Sequence, residues 1–355
     1  MSSNPLLAPL TLGALELNNR IVMAPMTRNR ASAEGVPTDL MVQHYADRAQ
    51  AGLIVAEGTW PSAAGQAYSR QPGITTPEQI AGWKKVTTAV HKQGGKIILQ
   101  VMHSGRIGSH KIKPSGVETV APSAIAARGK IYTDQHGMQP FDTPRELTTA
   151  EVKSVIEEYR QAALNALEAG FDGVEFHGTS GYLPMQFLCC ETNQRSDEYG
   201  GTVEKRARFA AKCIEAMVSV LGSGRVGLRI NPGNSFNDAH DEDSAGSHIE
   251  LLRQIKSLNL AYLHIMRSPL PEIDAFKLAR EHFSGPLILN DNFDPEIAGQ
   301  ALRGNMGQAV SFARHFIANP DLVNRITKSL PLAAFDRKTL YTPGIKGYND
   351  YEKAI

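Results

Sequence analysis

Three residues able to move a proton or hold an oxyanion fall in one glycine-containing run, His177-Gly-Thr-Ser180-Gly-Tyr182. An imidazole N–H beside a phenol can stabilise a developing oxyanion and then protonate the neighbouring carbon. Two other polar residues stand inside apolar runs: Gln100 in KIILQVM (Lys96–Met102) and Arg229 in VGLRI (Val226–Ile230). A guanidinium withdrawn from water is costly without an anion, so Arg229 points to a bound anionic ligand rather than to a structural carboxylate. Arg314 closes a further apolar run, Ala309–Phe312, just ahead of a short helical turn.

These residues need a scaffold that brings distant segments to one place. Eight apolar runs alternate with amphipathic stretches: Ile21–Met26, Leu53–Glu57, Lys96–Met102, Gly173–Phe176, Val226–Ile230, Tyr262–Met266, Pro286–Leu289 and Ala309–Phe312. Continuous Val/Ile/Leu character suits strands covered on both faces, as in parallel sheets. The stretches between them predict helices over Asp39–Gln50, Pro77–Gln93, Thr148–Ala169, Val203–Leu221, His248–Leu258, Leu270–Phe283, Pro295–Leu302 and Pro320–Ser329. Thr148-Thr-Ala-Glu151 and Asn319-Pro320 read as first turns, and Gly52, Gly94, Gly170 and Gly222 as helix ends. Eight such units predict an α/β fold, a single (β/α)8 TIM barrel over residues 1–355. Leu6–Asn19, containing LTLGALEL, predicts a hairpin under the barrel, and residues 103–147 an insertion capping the site after strand three.

In such barrels the chemistry lies where strands end. Those points here collect Thr27, Gly58–Thr59, Gln100, His103, His177, Arg229, Asn290–Asn292 and Arg314. Ordinary strand-end polarity accounts for Thr59 and Asn290. Backbone N–H groups after strands seven and eight, with Arg314 nearby, match the recurrent phosphate site of these barrels. Gly222-Ser-Gly-Arg-Val-Gly227 matches GxGxxG but follows a helix and leads into a strand, the reverse of a dinucleotide fingerprint. Asp238–Asp243 reads as solvated loop charge, and Cys189–Cys190 as packing.

Lys and Arg number 37 against 36 Asp and Glu, a balance that argues against nucleic acid or an anionic membrane as partner. No apolar run is long enough to cross a bilayer, Met1–Pro9 lacks the pattern of a secretory signal, and the three cysteines form no metal or disulfide spacing. The expectation is a cytoplasmic protein with no bound metal. Nothing in the sequence fixes its oligomeric state.

Leu17–Ala31 (LNNRIVMAPMTRNRA), Ala51–Thr59 (AGLIVAEGT), Gln100–Arg106 (QVMHSGR), Val174–Leu188 (VEFHGTSGYLPMQFL), Asn193–Gly201 (NQRSDEYGG) and Phe316–Leu322 (FIANPDL) occur in the order found in the Old Yellow Enzyme family. The chain resembles that family along almost its whole length. Gly137–Pro144 (GMQPFDTP) is similar to the bacterial branch that reduces maleimides and nitrate esters. The resemblance implies an FMN-dependent, NAD(P)H-driven ene-reductase acting on electron-poor alkenes. Pro25, Met26, Thr27, Gly58, Gln100, Arg229, Asp291, Asn292, Ala313 and Arg314 would then hold FMN. His177 and Ser180 would grip the substrate oxygen, Tyr182 would deliver the proton, and Tyr68, Met102 and Tyr341 would line the substrate side. Four of these depart from the family pattern: Ser180 for Asn or His, Met102 for Trp, and Asp291 and Ala313 for glycines beside the phosphate. Those departures keep open a repurposed relative with altered substrate or weakened flavin binding. Read without the resemblance, a metal-dependent barrel hydrolase or aldolase using His103 and His177 is the alternative, though strand one lacks the HxH pair such sites use.

Overall fold

The computed structural model describes residues 4–354. The first three residues of the Met1–Pro9 stretch and the last residue of the chain lie outside that range. Eight parallel strands close a barrel in chain order: β1 (Ile21–Met23), β2 (Leu53–Thr59), β3 (Ile97–Val101), β4 (Val174–His177), β5 (Val226–Ile230), β6 (Tyr262–Met266), β7 (Leu287–Asn290) and β8 (Ala309–Phe312). Every expected strand is present.

The eight expected helices form around it: α1 (Asp39–Ala46), α2 (Pro77–Lys92), α3 (Thr149–Glu168), α4 (Val203–Leu221), α5 (Ser244–Ile255), α6 (Ala275–His282), α7 (Pro295–Arg303) and α8 (Leu322–Lys328). Thr148 and Glu151 form the expected capping box, and Thr76 with Gln79 forms a second one. Capping also explains where boundaries differ from the sequence reading. Asp243 caps α5 and Asp274 caps α6, each accepting from a backbone N–H three residues on, so α5 starts earlier and α6 later than apolar periodicity alone indicates. Asn319 opens no helix; its amide instead ties the chain to the Ala333 carbonyl at 3.1 Å. Gly52 lies well past the end of α1: a Cβ there would meet the Asn19 carbonyl oxygen at 2.0 Å, so close backbone approach, not a helix end, requires the glycine.

Leu10–Leu12 and Leu15–Leu17 form the hairpin, whose leucines pack with Val22, Leu53, Ile98 and Ile288 to seal the barrel floor. The literal GxGxxG lies at this floor, where the Gly224 carbonyl accepts from Ala14 N–H at 2.8 Å. The 103–147 insertion carries a second hairpin, Lys130–Thr133 with Gly137–Pro140. At the opposite end Arg28 and Arg30 bind carbonyls of the C-terminal segment: Arg28 at Leu340 (3.0 Å) and Gly347 (2.6 Å), Arg30 at Thr339 (2.9 Å). Both guanidinium groups also lie over the Tyr348 ring, 5.2 and 4.9 Å from its centroid. This anchoring holds Leu340–Pro343 at the rim of the barrel mouth.

Gly227 links floor to site. A Cβ there would come within 2.1 Å of the Tyr262 ring, whose hydroxyl donates to Glu175 at 3.0 Å. Gly227→Ala is expected to destabilise the fold by about 1–3 kcal/mol through overpacking. Urea unfolding measures this, and an unchanged midpoint would contradict the packing described.

Candidate active site

The C-terminal ends of the strands open into two connected chambers that share Arg229, Met266 and Ala313. The larger, about 780 Å³, is lined by Thr27, Gln100, Met102, His177, Ser180 and Tyr182 among others. Pro25, Met26, Tyr68 and Tyr341 also face it, as do Lys130 and Phe141 from the insertion. The smaller, about 480 Å³, is lined by Arg314, Asp291, Asn292 and Arg267. Gly58 is the exception among the residues that the resemblance assigns to FMN or substrate. It lies behind the wall, where a Cβ would meet Met102 Sδ at 2.7 Å, so it shapes the pocket without facing it.

Parallel register sets the polar pattern beneath the larger chamber. Gln100 stands beside Glu175 and His177 beside Arg229. Glu175 is fully buried and accepts from Gln100 Nε2 (2.8 Å), Tyr262 Oη (3.0 Å) and His264 Nδ1 (2.9 Å). Burial raises its carboxyl, but His264, Arg229 and the Gln100 hydrogen bond outweigh this and hold it below the ordinary range. His264 Nε2 continues to Ser311 Oγ at 2.7 Å. Glu175, Tyr262, His264 and Ser311 were not identified from the sequence, although Glu175 lies within the quoted VEFH run. A charged residue two before the site histidine, pointing to the same barrel interior by strand alternation, was the available signal.

Arg229 is 7% exposed, and among the described residues no carboxylate is hydrogen-bonded to it. Its Nη2 donates to Asn290 Oδ1 at 3.2 Å and to Met266 Sδ at 3.3 Å, while Nε is buried without a partner. Asn290, read above as ordinary strand-end polarity, is therefore an orienting residue: its amide also donates to Ser311 Oγ at 2.8 Å. Burial lowers the Arg229 pKa, partly offset by Glu175 and Tyr262. Arg314 is exposed on the smaller chamber, and among the described residues its side chain forms no ion pair.

Tyr182 and Tyr68 join their hydroxyls at 2.8 Å, and the His177 and Tyr182 rings lie 5.3 Å apart. Burial, then the neighbouring Tyr68, push the Tyr182 phenol well above its ordinary pKa. Ser180 sits at φ +63°, a left-handed position that favours Asn or Gly. Its carbonyl accepts from Asn237 Nδ2 at 2.9 Å, and Asn237 lines the same chamber from the loop after β5. Asn237 and Asp238 also hold positive φ. Asp238 is not free loop charge: it pairs with Arg128, and its carbonyl accepts from Arg106. Cys189 is buried, in keeping with packing. His103 lies fully buried and faces neither chamber, with Nδ1 turned to the Gly105 N–H, so it is not placed to share a ligand with His177.

The barrel, the Arg229 and Arg314 guanidinium groups at its mouth and the His–Tyr pair form a site suited to an anionic ligand. The sequence profile of the NADH:flavin oxidoreductase / NADH oxidase family matches residues 5–333. A Leishmania infantum protein described as "Probable flavin mononucleotide-dependent alkene reductase" is 42% identical over 99% of this chain and 98% of its own length. 12-Oxophytodienoate reductase 1 of Oryza sativa subsp. japonica is 38% identical over 98% of this chain and 92% of its own. Among solved structures, morphinone reductase in complex with tetrahydroNAD superposes with a TM-score of 0.94 at 41% identity, covering 99% and 98% of the two chains. The Old Yellow Enzyme homologue of Zymomonas mobilis gives 0.94 at 37% identity, over 98% and 99%. The chain belongs to the Old Yellow Enzyme family of NADH:flavin oxidoreductases. It is an FMN-dependent enzyme with a nicotinamide reductant.

The buried histidines give the protein a defined pH response. Burial, reinforced by Arg229, pushes His177 down to about 3, and burial pushes His103 to about 3, against an ordinary 6.5. Between those values the unfolded chain takes up protons that the native state does not. Each histidine's contribution to stability is complete above pH 6.5 and falls as pH drops, by on the order of 2 kcal/mol at pH 5. Glu57, pushed up to about 7 by burial, gains stability over the same range and offsets roughly one of them, leaving a net loss. Urea unfolding between pH 7 and 5 measures this, and a flat profile would show that the imidazoles ionise in place.

Proposed function

We propose that this enzyme reduces the C=C bond of electron-poor alkenes (enones, maleimides and related nitro compounds) with Tyr182 as proton donor. The observation that carries the reading is the single chamber in which His177, Ser180 and Tyr182 face Arg229, Gln100 and Thr27. The residues present fit FMN. Arg229 offers a buried Nε without a partner among the described residues, Thr27 and Gln100 supply polar groups on the same wall, and none of the described residues lining the larger chamber is a carboxylate. When bound, FMN would supply the hydride-transfer chemistry between NAD(P)H and the alkene. Gln100 and Arg229 would hold the side of the ring that gains negative charge on reduction, Pro25 and Met26 would line it, and Asn292, Ala313 and Arg314 would hold the phosphate. Gly58 supports this wall from behind.

His177 works as a neutral imidazole, because burial keeps it unprotonated. Its Nδ1 is buried without a partner, leaving a group free for a substrate oxygen. Ser180 offers a second, shorter donor. Tyr182 gives its proton to the α-carbon and regains one from solvent through the Tyr68 hydroxyl 2.8 Å away. Met102 and Tyr341 shape the alkene side, and the 103–147 insertion closes over it. The alkene reductases among its relatives support the reaction class. Among the described residues no helix is long and apolar enough to cross a membrane. The three cysteines are free thiols, which suits a reducing, cytoplasmic setting.

Tyr182→Phe is expected to slow alkene reduction at least ~100-fold, within the range of general acid catalysis, while leaving flavin reduction by NADPH within about twofold. Stopped-flow measurement of the two half-reactions separates these effects. Equal losses in both would remove Tyr182 from its proposed role.

A further inference from the structure

The smaller chamber carries three guanidinium groups, Arg229, Arg267 and Arg314, and one carboxylate, Asp291. The Asp291 carboxylate is bound by Arg267 Nε, and its other oxygen accepts from the Asn292 N–H at 2.7 Å. Arg267 is fixed further: its own N–H donates to the Asn290 carbonyl at 2.9 Å, and its guanidinium lies 4.7 Å from the Phe276 ring centroid. This anchoring is chemically specific. A carboxylate beside a phosphate monoester, which carries a charge of about −1.5 to −2 near neutral pH, repels it unless a cation is held against it. With Arg267 in place the four charged side chains sum to two positive, matching a dianion. Without it Asp291 would face the phosphate unpaired and the sum would fall to one.

We propose that Arg267 is a dedicated counter-cation for Asp291, and that this ion pair sets how tightly the chain retains the FMN phosphate. Arg267 acts through Asp291 rather than by gripping phosphate itself. FMN retention therefore depends on Arg267 only while Asp291 is present. The inference rests on the placement of the phosphate in this chamber, beside Arg314.

Flavin fluorescence quenching with the apoprotein gives affinities for FMN and for riboflavin, which has the same ring and no phosphate. Arg267→Ala should weaken FMN about tenfold and leave riboflavin within about twofold, since one unpaired charge nearby acts only on the phosphate. The double variant Asp291→Gly with Arg267→Ala should recover FMN affinity to within about twofold of the parent, as both charges then vanish together. Unchanged FMN binding in Arg267→Ala overturns the proposal. So does an equal loss of riboflavin, which would mean general damage. A double variant that stays weak also overturns it, because Arg267 would then be binding phosphate directly. Arg314→Ala, measured in parallel, tests the chamber itself: if FMN affinity survives that change, the phosphate lies elsewhere and the inference falls with that assignment, whereas a weakened Arg314→Ala beside an unaffected Arg267→Ala defeats only the ion-pair role.

Discussion

A buried guanidinium with no anion of its own is the constraint around which the barrel mouth is organised. Arg229 is drawn from a strand into a site where its hydrogen-bonding partners are an amide oxygen and a thioether, both neutral. Such a group is destabilising in the empty protein, where burial already lowers its pKa. Its retention makes sense when a ligand brings electron density to it. The cost falls on the unliganded state and is offset on binding, so affinity for a ring that gains negative charge on reduction follows from the same feature.

The nearest carboxylate could have cancelled that charge and does not. Glu175 lies on the neighbouring strand, opposite Gly227 and two residues short of direct pairing with Arg229, and it already accepts from Gln100, Tyr262 and His264. Satisfying Glu175 within the core does two things at once. It keeps a buried carboxylate ionised without a hydrogen bond to Arg229, whose charge acts on it only at a distance, and it orients Gln100 at the chamber wall. The space for Tyr262 depends in turn on Gly227, which connects strand packing at the floor to charge placement at the mouth.

The barrel was legible because its strands are buried on both faces and therefore read as unbroken apolar runs, and all eight appeared where expected. Helix ends were less so: Asp243 and Asp274 cap from loops whose composition looks merely polar. The residues brought together at the mouth were also legible, since a polar group inside an apolar run, as at Gln100 and Arg229, has few structural reasons to be there. What hid were partners recognisable only across strands. Asn290 passed for ordinary strand-end polarity until barrel closure brought its amide oxygen to Arg229 from two strands away, and Arg267 lies in a loop where a surface arginine is unremarked. Asn237 and the Arg28–Arg30 anchor of the C-terminal segment likewise join elements far apart in sequence. Periodicity carries no information about such pairings.

The most direct test of an anion-seeking guanidinium is the two-electron reduction potential of bound FMN in the parent and in Arg229→Met, measured by anaerobic dye equilibration. Reduction adds negative charge to the ring, so removing the adjacent cation should lower the potential by about 60 mV or more, a loss of roughly 3 kcal/mol for a two-electron couple. A potential unchanged in Arg229→Met, with FMN still bound, would show that Arg229 does not face the ring and would contradict the central role given to it.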